Sequence, residues 1–193
     1  MILSESTDDP RVSLQWKGPF KLGEFIECES LREHFNKPGV YLHLYVGEEV
    51  AKLWYIGRSN SSLSKRQKEH YLLTIGGLYN MPKEHKAMQN GEDWNPDHLK
   101  NKEMRDICLN QKQFIDHVKT TFSFAETIEV YLAECSKDQV NDVEGTLLLK
   151  LHPCGTIKWT KSGSCRVLKI DHASSPWTRR EVVDKKGRIG CDP

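Results

Sequence analysis

One segment constrains the fold of this chain more than any other, a β-hairpin between residues 40 and 57. From Val40 to Val46 aliphatic residues alternate with tyrosine and histidine, which is the two-residue period of a strand with two different faces. Gly47-Glu48-Glu49 is typical of a turn, and residues 50–57 (VAKLWYIG) predict the strand that returns from it. The chain therefore builds at least part of its core on an antiparallel sheet.

The register of this hairpin decides which side chains share a face. If residues 47–49 form the loop, Tyr41 pairs with Tyr55, because partners in a hairpin are equidistant from the loop. A slip of one residue would send the two tyrosines to opposite faces. The paired arrangement places two apolar pairs on the core face, Val40–Ile56 and Leu42–Trp54. We therefore expect Tyr41 and Tyr55 to lie side by side on the other face.

A helix follows the hairpin and carries two cationic side chains on one face. Ser61 or Ser62 is suited to cap a helix that runs from about residue 63 to residue 74. Arg66 and His70 are four residues apart on this helix, so they lie one turn apart on the same face.

The segments on either side of the hairpin and this helix are less regular. Residues 11–38 predict an irregular lead-in with a short helix near residues 30–35. Residues 71–125 predict a long insertion that includes a helix from about residue 97 to residue 118.

A third strand and a last helix complete the predicted core. Residues 126–133 predict the strand, and Ser136 with Gln139 forms a capping-box pattern at the start of the helix. The inward face of the helix carries four apolar residues, Val140, Val143, Leu147 and Leu151. Glu144 lies at the edge of that face, where a buried carboxylate is costly unless a positive group or a metal ion meets it.

Length and cysteine content fit one globular domain over residues 1–193, with its core at residues 39–155. The 193 residues are 37% hydrophobic and 28% charged, which suits a modest core. The six cysteines form no CxxC pair and no charged-then-apolar leader opens the sequence. We therefore expect reduced thiols in the cytoplasm, or in the nucleus of a eukaryote. The sequence has no run of 18 apolar residues, so no membrane partner is expected.

The C-terminal extension, residues 156–193, is basic although the chain as a whole is nearly neutral. From Gly155 onward there are nine Lys or Arg and four acidic residues, whereas the whole chain has a formal net charge of +1. Such an excess favours contact with a phosphate backbone, and an ordinary solvated tail is an equal alternative. The expected nucleic-acid contacts are Lys52, Arg58, Lys158, Lys161, Arg179 and Arg180.

The order of these residues resembles that of the GIY-YIG nuclease family. Gly39-Val40-Tyr41 opens the first strand, Tyr55-Ile56-Gly57 closes the second, Arg66 and His70 follow on the next helix, and Glu144 lies on a later one. The resemblance implies an α/β fold with a small three-stranded antiparallel sheet flanked by helices. It also implies a metal-dependent endonuclease that hydrolyses phosphodiester bonds in DNA, with RNA as an alternative substrate. A site-specific restriction-type enzyme is one form that such an endonuclease takes.

The resemblance gives each of five residues a role. Tyr41 would be the general base or would hold the attacking water, and His70 would orient or deprotonate it. Tyr55 would support Tyr41 and the scissile phosphate, and Arg66 would neutralise charge on that phosphate. Glu144 would hold one divalent cation, Mg²⁺ or Mn²⁺, per active site. A tyrosine titrates near 10, so Tyr41 needs a nearby cation to act as a base.

One position departs from the family pattern and keeps other functions open. The family usually has an Asn after a proline that follows the glutamate helix, whereas this sequence reads HPCGTIKW, with Gly155 or Thr156 at that place. A catalytically silent nucleic-acid-binding module is therefore an alternative, and so is a nicking nuclease of repair or of a mobile element. An enzyme that cuts both strands would need two sites, which a homodimer supplies.

Each candidate residue also has an ordinary structural interpretation. Tyr41 and Tyr55 are common aromatics of a sheet, Arg66 and His70 fit a solvated helix face, and Glu144 fits a surface acid. Only their joint order favours a site, so the expectation is geometric: the side chains must converge when the chain folds.

Overall fold

A sheet of five strands forms the centre of the computed structural model of the chain, and a separate pair of strands lies beside it. The structure describes residues 10–47, 51–76, 107, 109–154, 166–174 and 181–184. In chain order its strands are β1 (Arg11–Gln15), β2 (Lys17–Lys21), β3 (Gly39–Val46), β4 (Ala51–Ser59), β5 (Ile128–Glu134), β6 (Lys169–Ala173) and β7 (Val182–Val183). Its helices are α1 (Glu24–Glu27), α2 (Glu29–His34), α3 (Leu63–Ile75), α4 (Gln111–Thr127) and α5 (Val140–Lys150).

The central sheet is wider than the sequence predicted. Its strand order is β2-β5-β3-β4-β7, antiparallel except for the parallel pair β4–β7. The three expected strands occupy the middle, so the mixed α/β fold is confirmed, but the expectation of only three strands is wrong. The added strand β2 comes from the lead-in and β7 from the C-terminal extension. Both are short, and the Gly-Pro step in β2 (KGPFK) hides the alternation that identifies a strand.

The second sheet also uses the lead-in and the extension. Strand β1 pairs with β6 in parallel, from Arg11 opposite Lys169 to Gln15 opposite Ala173. The prediction that the lead-in is irregular is therefore wrong, although the predicted helix near residues 30–35 is confirmed as α2. The alternation of buried and exposed residues in β1 is visible in its sequence, RVSLQ.

The register of the hairpin differs from the expected one by two residues. Tyr41 pairs with Gly57, and Tyr55 pairs with His43, so the expected Tyr41–Tyr55 pair is wrong. A shift of two residues keeps every side chain on its face, whereas a shift of one would reverse it. Tyr41 and Tyr55 are therefore diagonal neighbours on one face, with ring centroids 6.0 Å apart.

A β-bulge at Trp54 changes the core-facing pairs. The ladder between β3 and β4 skips this residue, so its ring packs on the same face as the tyrosines instead of on the opposite one. Leu42 pairs with Ile56, and Val40 pairs with Arg58, so both expected apolar pairs are wrong.

Each face of the sheet carries its own hydrophobic cluster and its own helix. On one face the apolar side of α5 packs against aliphatic residues of β3 and β4, and the inward direction predicted for Val140, Val143, Leu147 and Leu151 is confirmed. The other face, called the tyrosine face below, bears Tyr41, His43, Tyr55 and Gly57 and is covered by α3. Helices α3 and α5 thus approach β3 and β4 from opposite sides.

The predicted helices are confirmed in part. Helix α3 begins after Ser62, whose side chain accepts a hydrogen bond from the backbone N–H of Lys65. Of the helix expected at residues 97–118, residues 111–118 lie in α4, which begins after Asn110 and continues to Thr127, beyond the expected end. Residues 77–106 and 108 of the expected insertion lie outside the described residues. No described helix is long and apolar enough to cross a membrane.

The described part of the C-terminal extension is built into the core. Leu168 and Val182 are buried in the cluster beneath α5. The carboxylate of Asp184 accepts a hydrogen bond from the backbone N–H of His152. Residues 166–174 and 181–184 are therefore structural, and removing them would disturb the fold.

The unexpected strand β1 generates a stability prediction. Leu14 is fully buried in the α5-side cluster, so we expect Leu14→Ala to lower the free energy of unfolding by about 2–5 kcal/mol. Ser13→Ala, on the exposed side of the same strand, should change it by less than about 0.5 kcal/mol. Urea denaturation measures both. Equal, small effects would mean that β1 is not docked.

Candidate active site

The structure joins the first tyrosine of the motif to the histidine of α3. The hydroxyl oxygen of Tyr41 lies 2.6 Å from Nε2 of His70, a hydrogen bond between residues 29 positions apart. Both side chains are buried, with 1% and 4% of their surfaces exposed. His70 reaches Tyr41 because it lies on the buried face of α3, which also includes Leu63, Gln67 and Thr74.

Four rings meet on the tyrosine face. The centroid of the His70 ring lies 5.2 Å from that of Tyr41 and 5.5 Å from that of Tyr55. The fourth ring belongs to His43, whose centroid lies 4.9 Å from that of His70. The convergence expected of Tyr41, Tyr55 and His70 is therefore present in the folded chain.

Gly57 is required by the position of the Tyr41 hydroxyl. A Cβ atom at residue 57 would collide with Oη and Cζ of Tyr41 and with the ring of Tyr55. Tyr41 thus lies across the backbone of β4 at the one residue of Tyr55-Ile56-Gly57 that leaves room for it. Beyond Lys52, β4 has no outer strand neighbour among the described residues, so this crossing lies at a sheet edge.

Burial keeps both histidines of the site uncharged at neutral pH. Burial lowers the pKa of His70 to about 2, with further lowering by His43 and by the positive charge of Arg66. Burial also lowers the pKa of His43 to about 4, although its hydrogen bond to Gln67 opposes the shift. A neutral imidazole has a lone pair that can accept a hydrogen bond from the Tyr41 hydroxyl, although the lowered pKa makes His70 a weaker base than an exposed histidine.

Arg66 lies at the rim of the cluster. Its Nη1 forms an ion pair of 3.1 Å with Oε2 of Glu69, and both side chains are partly exposed. The guanidinium is close enough to lower the pKa of His43 and of His70. Arg66 therefore supplies positive charge beside the rings from a position that a phosphate can reach.

Glu144 approaches β4 from the opposite side of the sheet. Its Oε2 lies 3.2 Å from Nε of Arg58, which is its partner among the described residues. Burial raises the pKa of Glu144 above its usual range, and Arg58 opposes that shift. Glu144 is therefore not part of the ring cluster, and the expected convergence of all five side chains on one face is wrong for Glu144, because α5 packs on the face opposite to α3. Tyr41 and Glu144 instead meet consecutive residues of β4, Gly57 and Arg58, from its two faces.

The donor set is compatible with a weakly held hard cation. The described residues contain no group of three or more His, Cys, Asp or Glu side chains that could enclose a metal ion. Mg²⁺ does not need such a cage, because it keeps several waters and takes one or two carboxylates together with substrate phosphates. Glu144, with one oxygen engaged by Arg58, offers such a carboxylate at the edge of β4.

Two of the six expected nucleic-acid contacts lie among the described residues. Lys52 pairs with Tyr45 and with Val183 in the sheet, and Arg58 is held by Glu144. The other four expected contacts, Lys158, Lys161, Arg179 and Arg180, lie outside the described residues. So do Gly155 and Thr156, which stand where the family usually has an Asn.

Two polar residues of the cluster were not singled out by the sequence. Nε2 of His43 lies 2.7 Å from Oε1 of Gln67, and both side chains are buried. The signal was available, since His43 is two residues after Tyr41 on an alternating strand and Gln67 is one turn before His70. A small cavity of about 30 Å³ lies beside His43, Tyr55 and His70 and has room for little more than one water.

Comparisons with family models, with curated proteins and with solved structures find no match for this chain. The resemblance to the GIY-YIG nucleases thus depends on the order and geometry of its own residues.

The neutral histidines generate a pH prediction. In the unfolded chain His43 and His70 take up protons near pH 6.5, whereas in the folded chain their pKa is lowered to about 4 and about 2. Their contribution to stability is therefore complete above pH 6.5 and is lost as the pH falls below it. For each histidine, the free energy of unfolding should fall by up to ~1.4 kcal/mol for every unit by which the pH is lowered below 6.5.

Urea denaturation between about pH 7.5 and pH 5 measures this slope. His43→Gln should make the slope smaller. An identical slope for His43→Gln and the parent chain would contradict the neutral buried state of His43.

Proposed function

We propose that this protein is a metal-dependent endonuclease that hydrolyses phosphodiester bonds in DNA, with a site of the GIY-YIG kind centred on Tyr41. The observation that carries the proposal is the 2.6 Å hydrogen bond between Tyr41 and His70. The motif links these two residues functionally, and in the fold they are buried together with Tyr55 beside them. Ordinary sheet aromatics and a solvated helix face would not require this pairing.

The geometry supports a proton relay through Tyr41. Neutral His70 accepts the hydroxyl proton of Tyr41 at Nε2 while the Tyr41 oxygen takes a proton from the attacking water. The hydroxide so formed bonds to phosphorus, and the bond from phosphorus to the leaving oxygen breaks. The low pKa of His70 makes its charged form costly, so the relay requires a nearby anion, which the phosphodiester supplies.

Tyr55 and Arg66 would contact the substrate. Both are less buried than Tyr41. The planar guanidinium of Arg66 fits two phosphate oxygens, and this contact would replace its ion pair with Glu69. The hydroxyl of Tyr55 would position the phosphate against Tyr41.

Glu144 is the proposed ligand for Mg²⁺ or Mn²⁺. A bound divalent cation would supply positive charge for the phosphate and the leaving oxygen. Tyr41 and Glu144 meet adjacent residues of β4 from its two faces. A single phosphate could therefore contact both the cation and the Tyr41 hydroxyl only if it lay at the strand edge beside Gly57. Arg58 would then share the Glu144 carboxylate with the cation.

The wider biological setting is proposed from the same resemblance. Cleavage of both strands, as by a restriction-type enzyme, would use a homodimer, and nicking in repair or in a mobile element would use one site. The protein would act on DNA, with RNA as an alternative substrate, in the cytoplasm or in the nucleus of a eukaryote.

A second candidate function is a catalytically silent module that binds nucleic acid. The specific observation that favours it is the burial of Tyr41 and His70, which leaves 1% and 4% of their surfaces exposed. A buried hydrogen bond of this kind can be purely structural. Cleavage assays separate the two functions.

Removal of the Tyr41 hydroxyl tests the relay. Tyr41→Phe keeps the ring, so it should reduce Mg²⁺-dependent cleavage of supercoiled plasmid by ~10²-fold or more, the scale of a positioned acid–base group. Tyr45→Phe is the matched control, because Tyr45 is equally buried on the same strand, and it should retain activity. If Tyr41→Phe cuts as fast as the parent while both stay folded, the binding module becomes the function.

Glu144 is tested by its response to metal. Glu144→Gln should raise the Mg²⁺ concentration needed for half-maximal cleavage, and excess Mg²⁺ should restore part of the rate. Tyr41→Phe should not be restored in this way. Glu134→Gln, which loses a similar ion pair with Lys37 at 3.3 Å, is the matched control. An unchanged Mg²⁺ titration for Glu144→Gln would exclude Glu144 as the ligand.

The basic extension is tested by charge removal instead of truncation, since truncation would remove the buried Val182. Replacing Arg179 and Arg180 with Gln should weaken DNA binding and reduce the dependence of log Kd on log salt by ~2, if each contacts one phosphate. Fluorescence anisotropy at several salt concentrations measures this slope. A slope equal to that of the parent would mean that these arginines contact solvent only.

A further inference from the structure

His43 lies at the centre of the tyrosine face, although none of the proposed roles uses it. Only 4% of its surface is exposed. Its ring centroid is 4.9 Å from that of His70, 5.2 Å from that of Tyr41 and 5.9 Å from that of Tyr55. It therefore packs against both partners of the Tyr41–His70 hydrogen bond.

Gln67 holds His43 in this position from α3. Oε1 of Gln67 accepts a hydrogen bond of 2.7 Å from Nε2 of His43, which assigns the proton of the neutral ring to Nε2. Nε2 of Gln67 is buried with no hydrogen-bond partner in the described part of the chain. A buried donor without a partner costs about 1–3 kcal/mol, so stability alone does not account for an amide at this place.

The charge state of His43 affects His70 directly. The two rings are in edge-to-face contact at an interplanar angle of 79°, and a proton on His43 would place a positive charge against His70. The titratable or charged groups that face His43 are Tyr41 on its own strand, Tyr55 on β4, and Arg66 and His70 on α3. No acid is among them in the described structure, so nothing there favours a charged His43.

We propose that His43, held by Gln67, is a positioning residue that keeps His70 aligned with the Tyr41 hydroxyl and, by remaining uncharged itself, leaves His70 able to take the proton that Tyr41 releases. The inference rests on the proposed nuclease function and deepens it. His43 touches neither substrate nor metal in this scheme, and its effect on the rate passes through His70.

The sharpest test places a carboxylate beside His43 without changing the shape of the site. Gln67→Glu is isosteric, and its negative charge should raise the pKa of His43 by ~2 units, into the range between pH 5 and pH 7. We expect kcat/KM for plasmid cleavage to fall between about pH 7 and pH 5 in this variant, while the parent keeps its rate over that range. Gln67→Met, which cannot hold His43 or charge it, should reduce the rate without creating this pH dependence.

Nuclear magnetic resonance of ¹⁵N-labelled histidine supplies a readout that does not need cleavage. In the parent protein the signals of His43 and His70 should remain those of neutral rings down to about pH 5. In Gln67→Glu the titration of His43 should shift the Nε2 signal of His70 with the same midpoint. A parent His70 that is charged at pH 7 would overturn the inference, and this arm needs no variant to fold.

The two arms also separate the inference from the proposed function. Coupled titration of His43 and His70 in a protein that cuts no DNA would overturn the nuclease function and, with it, a positioning role in catalysis. Cleavage whose pH dependence is the same in Gln67→Glu and in the parent, with His43 titrating in the variant, would overturn the positioning role alone.

Discussion

A tyrosine hydroxyl and an imidazole are hydrogen-bonded to each other inside the protein, and the arrangement of the tyrosine face depends on this bond. Tyr41 and His70 meet at 2.6 Å inside a cluster that excludes most solvent. Removal of either partner would break this buried hydrogen bond, at a cost of about 1–3 kcal/mol. The hydrogen bond therefore fixes the rotation of α3 over the sheet, and that rotation also places Gln67 against His43.

The second constraint is the absence of a side chain on β4 at Gly57, where no outer strand pairs with β4 among the described residues. Gly57 has no side chain, so the Tyr41 hydroxyl can lie directly over the strand. The next residue projects to the other face, where Arg58 binds Glu144. Helices α3 and α5 are thus brought to the same short stretch of β4 from opposite sides. One partly exposed carboxylate and one buried hydroxyl thus lie beside the same stretch of β4, on its two faces.

The sequence predicted the elements that carry strong periodicity and missed those that do not. The alternation in β3 and the Ser62 cap of α3 were sufficient to place Tyr41, Arg66 and His70 on their elements. The bulge at Trp54 was not predictable, because a single extra residue leaves no signature in a strand whose both faces are apolar. Strands β2 and β7 have five and two residues. Such short segments are strands only because a neighbouring strand completes their hydrogen bonds.

The burial of Tyr41 decides where a substrate would have to bind. The cavity beside His43 and His70, at about 30 Å³, has room for a water but not for a phosphate group. A phosphodiester would therefore remain outside and reach the Tyr41 hydroxyl across Gly57, at the edge of β4. No side chain of β4 obstructs this route at residue 57, because that residue is glycine. Gly57 then serves two purposes. The absence of a side chain leaves room for the Tyr41 hydroxyl, and it leaves only backbone between that hydroxyl and the outer edge of β4.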